Sequence, residues 1–211
     1  MRQIAAIAIL MISAVMAVSA DVQSPADLTS VGCQAQETSL GDLMADAVRA
    51  SAGTPIAIIP AGGFREITVP KGEIKISEVL KCLQYPNDQI AVMRITGARL
   101  LKALERSVSI YPQKNMGFLQ VSGLTLTFSP GSPKESRIKS VLVGAEPVVP
   151  DRSYRIATTK PLADGAYGYF TIWGDEHPQM KDKTISQAAT DFLSRRTSVD
   201  YRVLNRILIS H

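Results

Sequence analysis

The chain has 211 residues, 45% of them hydrophobic and 20% charged, with a formal net charge of +4. That composition excludes a disordered chain, a multi-span membrane protein and a disulfide-dense miniprotein, and the small positive excess does not argue for nucleic acid. His177 and His211 are the only histidines, which excludes a histidine-rich metal centre.

Residues 1–20 read as a secretory signal peptide. Arg2 supplies a positive start, residues 4–18 are apolar apart from Ser13, and Ala17, Val18, Ser19 and Ala20 offer small residues for cleavage. The apolar run is shorter than the ~20 residues of a membrane span, so no membrane association is expected after cleavage. The chain is therefore expected to be exported, to the periplasm or the extracellular space. Residues 21–32 are polar, with Pro25 and Gly32, and read as a flexible lead-in. Residues 33–211 read as one domain, large enough to bury a full core. In an oxidising compartment the two cysteines, Cys33 and Cys82, are expected to form a disulfide. The alternative is two unrelated buried thiols behaving as small apolar groups.

Ser39 reads as a helix N-cap, followed by Leu40, Leu43, Met44, Ala47 and Val48 at helical spacing, with Gly53 as the stop. Residues 55–59 suit a buried strand, which Ala61, Gly62 and Gly63 interrupt. Residues 67–76 read as a hairpin about Pro70, Lys71 and Gly72, and a short helix follows over 77–83. A strand is expected over 89–95. Thr96 caps a helix whose apolar face carries Leu100, Leu101, Leu104 and Val108. Residues 119–128 alternate as a strand, with further strands over 137–143 and 154–159. Residues 160–183 are rich in Gly, Asp, Pro and aromatics without periodicity and read as a functional loop. Thr184 caps a last helix, and 201–209 reads as a strand. Adjacent strands with separate helices favour α+β over a regular βαβ array.

The chain has no P-loop, dinucleotide-binding glycine fingerprint, H-E-x-x-H or G-x-S-x-G motif. What it does have resembles one family. Residues 37–47, ETSLGDLMADA, resemble the opening "ETNLGNLxADA" of the 5′-nucleotidase C-terminal domain. AGGFR at 61–65 resembles "NGGGIR", and LQYPN at 83–87 with MRITGA at 93–98 resembles "LPFGN…VELTGA". FLQVSGL at 118–124, DRSYRIAT at 151–158 and LADGAYGY at 162–169 complete the set. The order and spacing hold from about Cys33 to the end of the chain.

The resemblance implies a four-layer α/β/β/α sandwich that holds the nucleoside part of a substrate, while a separate metallophosphatase domain with two metal ions performs the hydrolysis. It implies that Tyr85 and Tyr169 sandwich the base. It further implies that Arg65 contacts the substrate, that Gly62 and Gly63 let backbone approach it closely, and that Asp175 accepts ribose hydroxyls. Arg65 has an alternative partner in Glu66, and Asp175 an alternative role as a turn acid beside Gly174. Two departures stand out: Pro60 replaces the family's asparagine, and Gln34 stands where the family often has arginine. If both flanking segments border one cleft, a Cys33–Cys82 bridge would brace its rim.

The functional expectation is an exported domain that binds a nucleoside or nucleotide, with a separate metallophosphatase chain as partner in nucleotide catabolism. Divalent metal would enter only through that partner, so no cofactor is expected in this chain. The competing readings are a vestigial or protein-interaction domain and a self-contained phosphohydrolase. The shortage of histidines argues against the last, because metal-dependent hydrolysis needs clustered ligands.

Overall fold

The computed structural model describes residues 22–202 and 205–210. The segment read as a signal peptide and His211 lie outside them. The chain opens with two short strands, β1 (Val22–Ser24) and β2 (Leu28–Thr29), before α1 (Ser39–Ala52) and β3 (Ile56–Pro60). A 3-10 turn (Ala61–Gly63) leads to β4 (Thr68–Val69), β5 (Gly72–Ile74), α2 (Ile76–Leu80), β6 (Gln89–Thr96) and α3 (Gly97–Val108). Then come β7 (Leu119–Ser122), β8 (Leu124–Phe128), β9 (Ile138–Val143), β10 (Glu146–Pro147) and β11 (Ser153–Thr159). The last part holds α4 (Lys160–Ala163), a 3-10 turn (Ala166–Gly168), α5 (Phe170–Trp173), β12 (Gln179–Thr184), α6 (Ile185–Ser194) and β13 (Ile207–Ile209).

Two sheets organise these elements. The larger has the order β12-β6-β11-β3-β7, with β11 parallel to β3 and the other neighbours antiparallel. The smaller has the order β10-β9-β8-β13. β3 is buried at every position, which is why its sequence is a continuous apolar run rather than an alternating one. α1 packs across β3, β7 and β11 and against α6, and α3 touches both β6 and β9. This is a mixed α/β architecture of two sheets and helices, in keeping with the fold that the family resemblance implies.

Residues 119–128 form two strands rather than one. Gly123 has φ 78°, and a side chain there would lie 3.0 Å from the Pro55 carbonyl carbon. Only glycine fits that left-handed turn, which sends β7 into one sheet and β8 into the other.

The segment read as a flexible lead-in is structured. Val22 and Leu28 are fully buried, β1 pairs with β5, and β2 pairs with β4. The expected 67–76 hairpin therefore does not form, because each of its arms pairs with a different lead-in strand. Ser39 is drawn into this contact as well. Its Oγ accepts from the Thr29 amide at 2.7 Å, so the α1 cap is Thr38, whose side chain accepts from the Gly41 amide. Residues 160–183, expected as a loop, hold α4, α5 and the edge strand β12, too short or too exposed to show a period.

Beneath α1 lies a buried polar network. The Arg206 guanidinium meets Asp46 with two hydrogen bonds of 2.9 Å and reaches Asp42 Oδ2 at 3.3 Å. Burial and a hydrogen bond with the Glu37 carboxyl push Asp42 up to about 9. The Arg206 charge opposes that rise, and Asp42 Oδ1 has no hydrogen-bond partner among the described residues. A carboxyl whose folded value lies above its unfolded value of ~3.9 stabilises fully only below that lower value. The benefit is lost as pH rises towards the folded value. Urea midpoints of the wild type are expected to fall between pH 5 and pH 9, at no more than about 1.4 kcal/mol per pH unit from this group. Asp42→Asn should flatten that slope, and equal slopes in the two proteins would show that Asp42 is ionised when folded.

Candidate functional site

The site is built where β3 ends. Its 3-10 turn is fixed from one side by Ala61 N donating to Phe118 O and Gly62 N to Met116 O, both at 2.7 Å. From the other side it is zipped to the α2–β6 connection: Arg65 N donates to Cys82 O at 2.7 Å, Gln84 N donates to Gly63 O at 2.8 Å, and Phe64 bridges Leu83. Gly62, Gly63, Arg65 and Tyr85 are therefore on one rim, as the motifs imply. Arg65 is exposed, and its Nε donates to Gln84 Oε1 at 2.8 Å. Its two terminal nitrogens hydrogen-bond to no described residue. Glu66 pairs instead with Lys114 at 3.6 Å, so the guanidinium fork is open to a ligand. Tyr85 is 51% exposed at the tip of its loop, beside the half-buried Asp88.

Tyr169 does not reach this rim. It is 0% exposed, its hydroxyl donates to Gly117 O at 2.6 Å, and its ring stacks on Trp173 with centroids 4.9 Å apart. Both faces are shut off from a ligand, because the Arg106 guanidinium lies 5.6 Å from the ring centroid. The aromatic that reaches the rim is Tyr167. A side chain on Gly62 would lie 2.5 Å from Tyr167 Cζ, so the phenol rests on the glycine turn. Burial, then the neighbouring Tyr85 and Asp88 charges, push the Tyr167 hydroxyl upward. Tyr167 takes the left-handed conformation, φ 57°, inside the 3-10 turn. It stands two residues before Tyr169 in the LADGAYGY segment, and the motif reading passes over it.

Asp175 also stands apart from the rim. It is exposed and paired with Arg99 at 2.8 Å, next to the Arg99–Glu176 pair at 2.5 Å. The hydrogen bond from Arg99 holds its carboxyl below the usual range. The carboxylate beside the rim is Asp88, whose side chain hydrogen-bonds to no described residue and which burial pushes upward.

Cys33 and Cys82 are both buried free thiols, so the expected bridge is not formed in this structure. Cys33 Sγ is directed at Ala61 O. Burial pushes Cys33 up to about 11 and Cys82 up to about 12, the latter with help from the neighbouring Cys33. Both thiols are protonated at neutral pH, and as core groups they fill the layer beneath the zipped turn.

Among the described residues no three His, Cys, Asp or Glu side chains are grouped to hold a metal ion. A cavity of about 1000 Å³ lies between α3 and β9, with Arg106, Thr171 and Ile172 in its lining.

The fold matches solved 5′-nucleotidases. The 5′-nucleotidase precursor of Thermus thermophilus superposes with a TM-score of 0.81 at 27% identity, over 91% of this chain and 39% of that one. The family model described as 5′-nucleotidase, C-terminal domain, matches residues 15–174, and the chain belongs to that family. A trifunctional nucleotide phosphoesterase protein of Bacillus subtilis is 31% identical over 151 residues, 67% of this chain and 10% of its own length. An apyrase of Aedes albopictus is 26% identical over 196 residues, 87% of this chain and 34% of its own length. The chain thus spans about a third or less of these two relatives.

Proposed function

We propose that this chain is a nucleoside- or nucleotide-recognition domain whose ligand docks in the notch between the Gly62–Gly63 turn, the Tyr85 loop and Tyr167. The observation that carries this reading is the zipped turn, which puts an unoccupied guanidinium fork and two phenol rings on one rim. The base stacks on Tyr85 and packs against Tyr167, a contact that tolerates any base because every base has a π-face. Arg65 donates to ribose or phosphate oxygens, and Asp88 accepts from ribose hydroxyls. The domain acts after export, and phosphate-ester hydrolysis is supplied by a metallophosphatase partner that brings the divalent metal. The resemblance to nucleotide-hydrolysing relatives and the absence of grouped metal ligands among the described residues support that division of labour.

The Tyr167 phenol resting on Gly62 favours a second reading, an interaction domain whose cleft has drifted shut. Calorimetric titration with adenosine and AMP separates the two. Tyr85→Ala and Tyr167→Ala should each weaken adenosine by about 1–3 kcal/mol, or roughly 5- to 150-fold. Arg65→Ala should affect AMP more than adenosine. No heat at millimolar ligand, or titrations indifferent to both tyrosine changes, would leave only the second reading.

A further inference from the structure

Tyr167 has a Cβ yet holds a left-handed backbone conformation, which L-residues avoid unless their surroundings impose it. Its carbonyl oxygen shows what imposes it. Arg106, exposed on α3, donates to that oxygen from Nε at 2.9 Å and also from Nη2. The same guanidinium lies over the Tyr169 ring, so one side chain grips both ends of the Tyr167–Tyr169 segment. Gly168 is shaped to admit it: with φ 79°, a side chain there would lie 2.6 Å from Arg106 Cζ. On the other side, Tyr167 Cβ would sit 3.2 Å from a side chain on Gly117. The guanidinium fork is suited to a two-donor grip that an ammonium cannot reproduce.

We infer that Arg106 is a positioning residue that clamps the Tyr167 carbonyl and thereby sets the phenol over the Gly62 turn. Arg106 itself contacts no ligand. Its effect on affinity rests on the nucleoside-binding reading, whereas its effect on the Tyr167 pose does not. The test separates them by using 3-fluorotyrosine-labelled chain, with the Tyr167 resonance assigned by its loss in Tyr167→Phe. Arg106→Ala should move the Tyr167 resonance towards that of an exposed tyrosine while the Tyr154 and Tyr201 signals stay in place. Gly168→Ala, which displaces the guanidinium, should do the same, and Arg106→Lys should restore the shift in part. In parallel, Arg106→Ala should weaken adenosine about tenfold, a change of about 1.4 kcal/mol. A Tyr167 signal unmoved in both Arg106→Ala and Gly168→Ala overturns the clamp. A moved signal with unchanged adenosine affinity in a chain that binds adenosine upholds the clamp on the pose and overturns its effect on binding. If the wild type binds no adenosine, the nucleoside reading fails, and the resonance alone decides whether Arg106 sets the pose.

Discussion

Arg206→Ala is expected to cost about 3 kcal/mol of folding stability, the lower end of the range for removing one partner of a buried ion pair. The lower end applies because the Arg206 and Asp46 side chains keep 22% and 17% exposure, so water screens part of the loss. Burial alone would push Asp46 upward. Hydrogen bonds from Arg206, Ser122 and Tyr201 outweigh it and hold the carboxyl below its ordinary range. Ser122 Oγ donates to Asp46 Oδ1 at 2.5 Å and the Tyr201 hydroxyl to Oδ2 at 2.9 Å. Removing Arg206 leaves Asp46 with two neutral donors and no cation, and frees the Val121 carbonyl that Arg206 also holds at 3.0 Å. The backbone on either side is held independently of the guanidinium. Glu37 accepts from the Arg206 and Ile207 amides at 3.0–3.1 Å, which sets β13 beside β8 in parallel register. Arg206→Lys keeps the charge but not the fork and should lose roughly half as much. Urea unfolding read by far-UV circular dichroism measures both. A loss under about 1 kcal/mol for Arg206→Ala would mean that the clamp is worth no more than a surface pair.

The elements that read most clearly in the sequence are those with an unambiguous period or cap. α3 begins at the Thr96 cap, with the Arg99 amide donating to Thr96 Oγ1. α6 begins at Thr184 with a full capping box through Gln187. The strands without a sequence signal are edges: β1, β2 and β12 pair with distant segments, and nothing in their own short sequences fixes those partners. The rim is legible as far as it depends on the backbone. Gly62, Gly63, Arg65 and Tyr85 follow from two motifs joined by main-chain bonds. The aromatic opposite them is not, because Tyr167 and Tyr169 are two residues apart in a glycine-rich segment. Which of them reaches the rim depends on a left-handed residue and a side chain from α3, neither of which leaves a pattern in the sequence. Asp175 escapes the motif for a similar reason: its partner Arg99 lies on another helix. The Cys33–Cys82 expectation draws on compartment and proximity. The residues are neighbours, yet each thiol serves as a buried apolar group.

Tyr169→Ala supplies the sharpest separation between the motif and the geometry. If Tyr169 were a base-stacking wall, the change would weaken ligand and spare the fold. The structure dictates the reverse. Tyr169 is among the largest fully buried side chains, stacked on Trp173, which itself donates from Nε1 to Leu162 O at 3.0 Å. Truncation opens a cavity the size of an aromatic ring between α3 and α5, and aromatic-to-alanine changes in cores cost about 3–5 kcal/mol. Tyr169→Phe keeps the ring and removes only the hydroxyl. The Gly117 carbonyl then loses its donor, for about 1–2 kcal/mol. Because Gly117 leads from the loop that carries Met116 to β7, some loosening of the 3-10 turn after β3 follows. Tyr167→Ala, by contrast, removes a half-buried ring and leaves a Cβ in the left-handed region, and its stability change should stay within about 1 kcal/mol of zero. Thermal unfolding followed by the fluorescence of Trp173, the single tryptophan of the chain, orders the three variants. A Tyr169→Ala protein as stable as the wild type would return Tyr169 to the rim, with a stacking face exposed in solution.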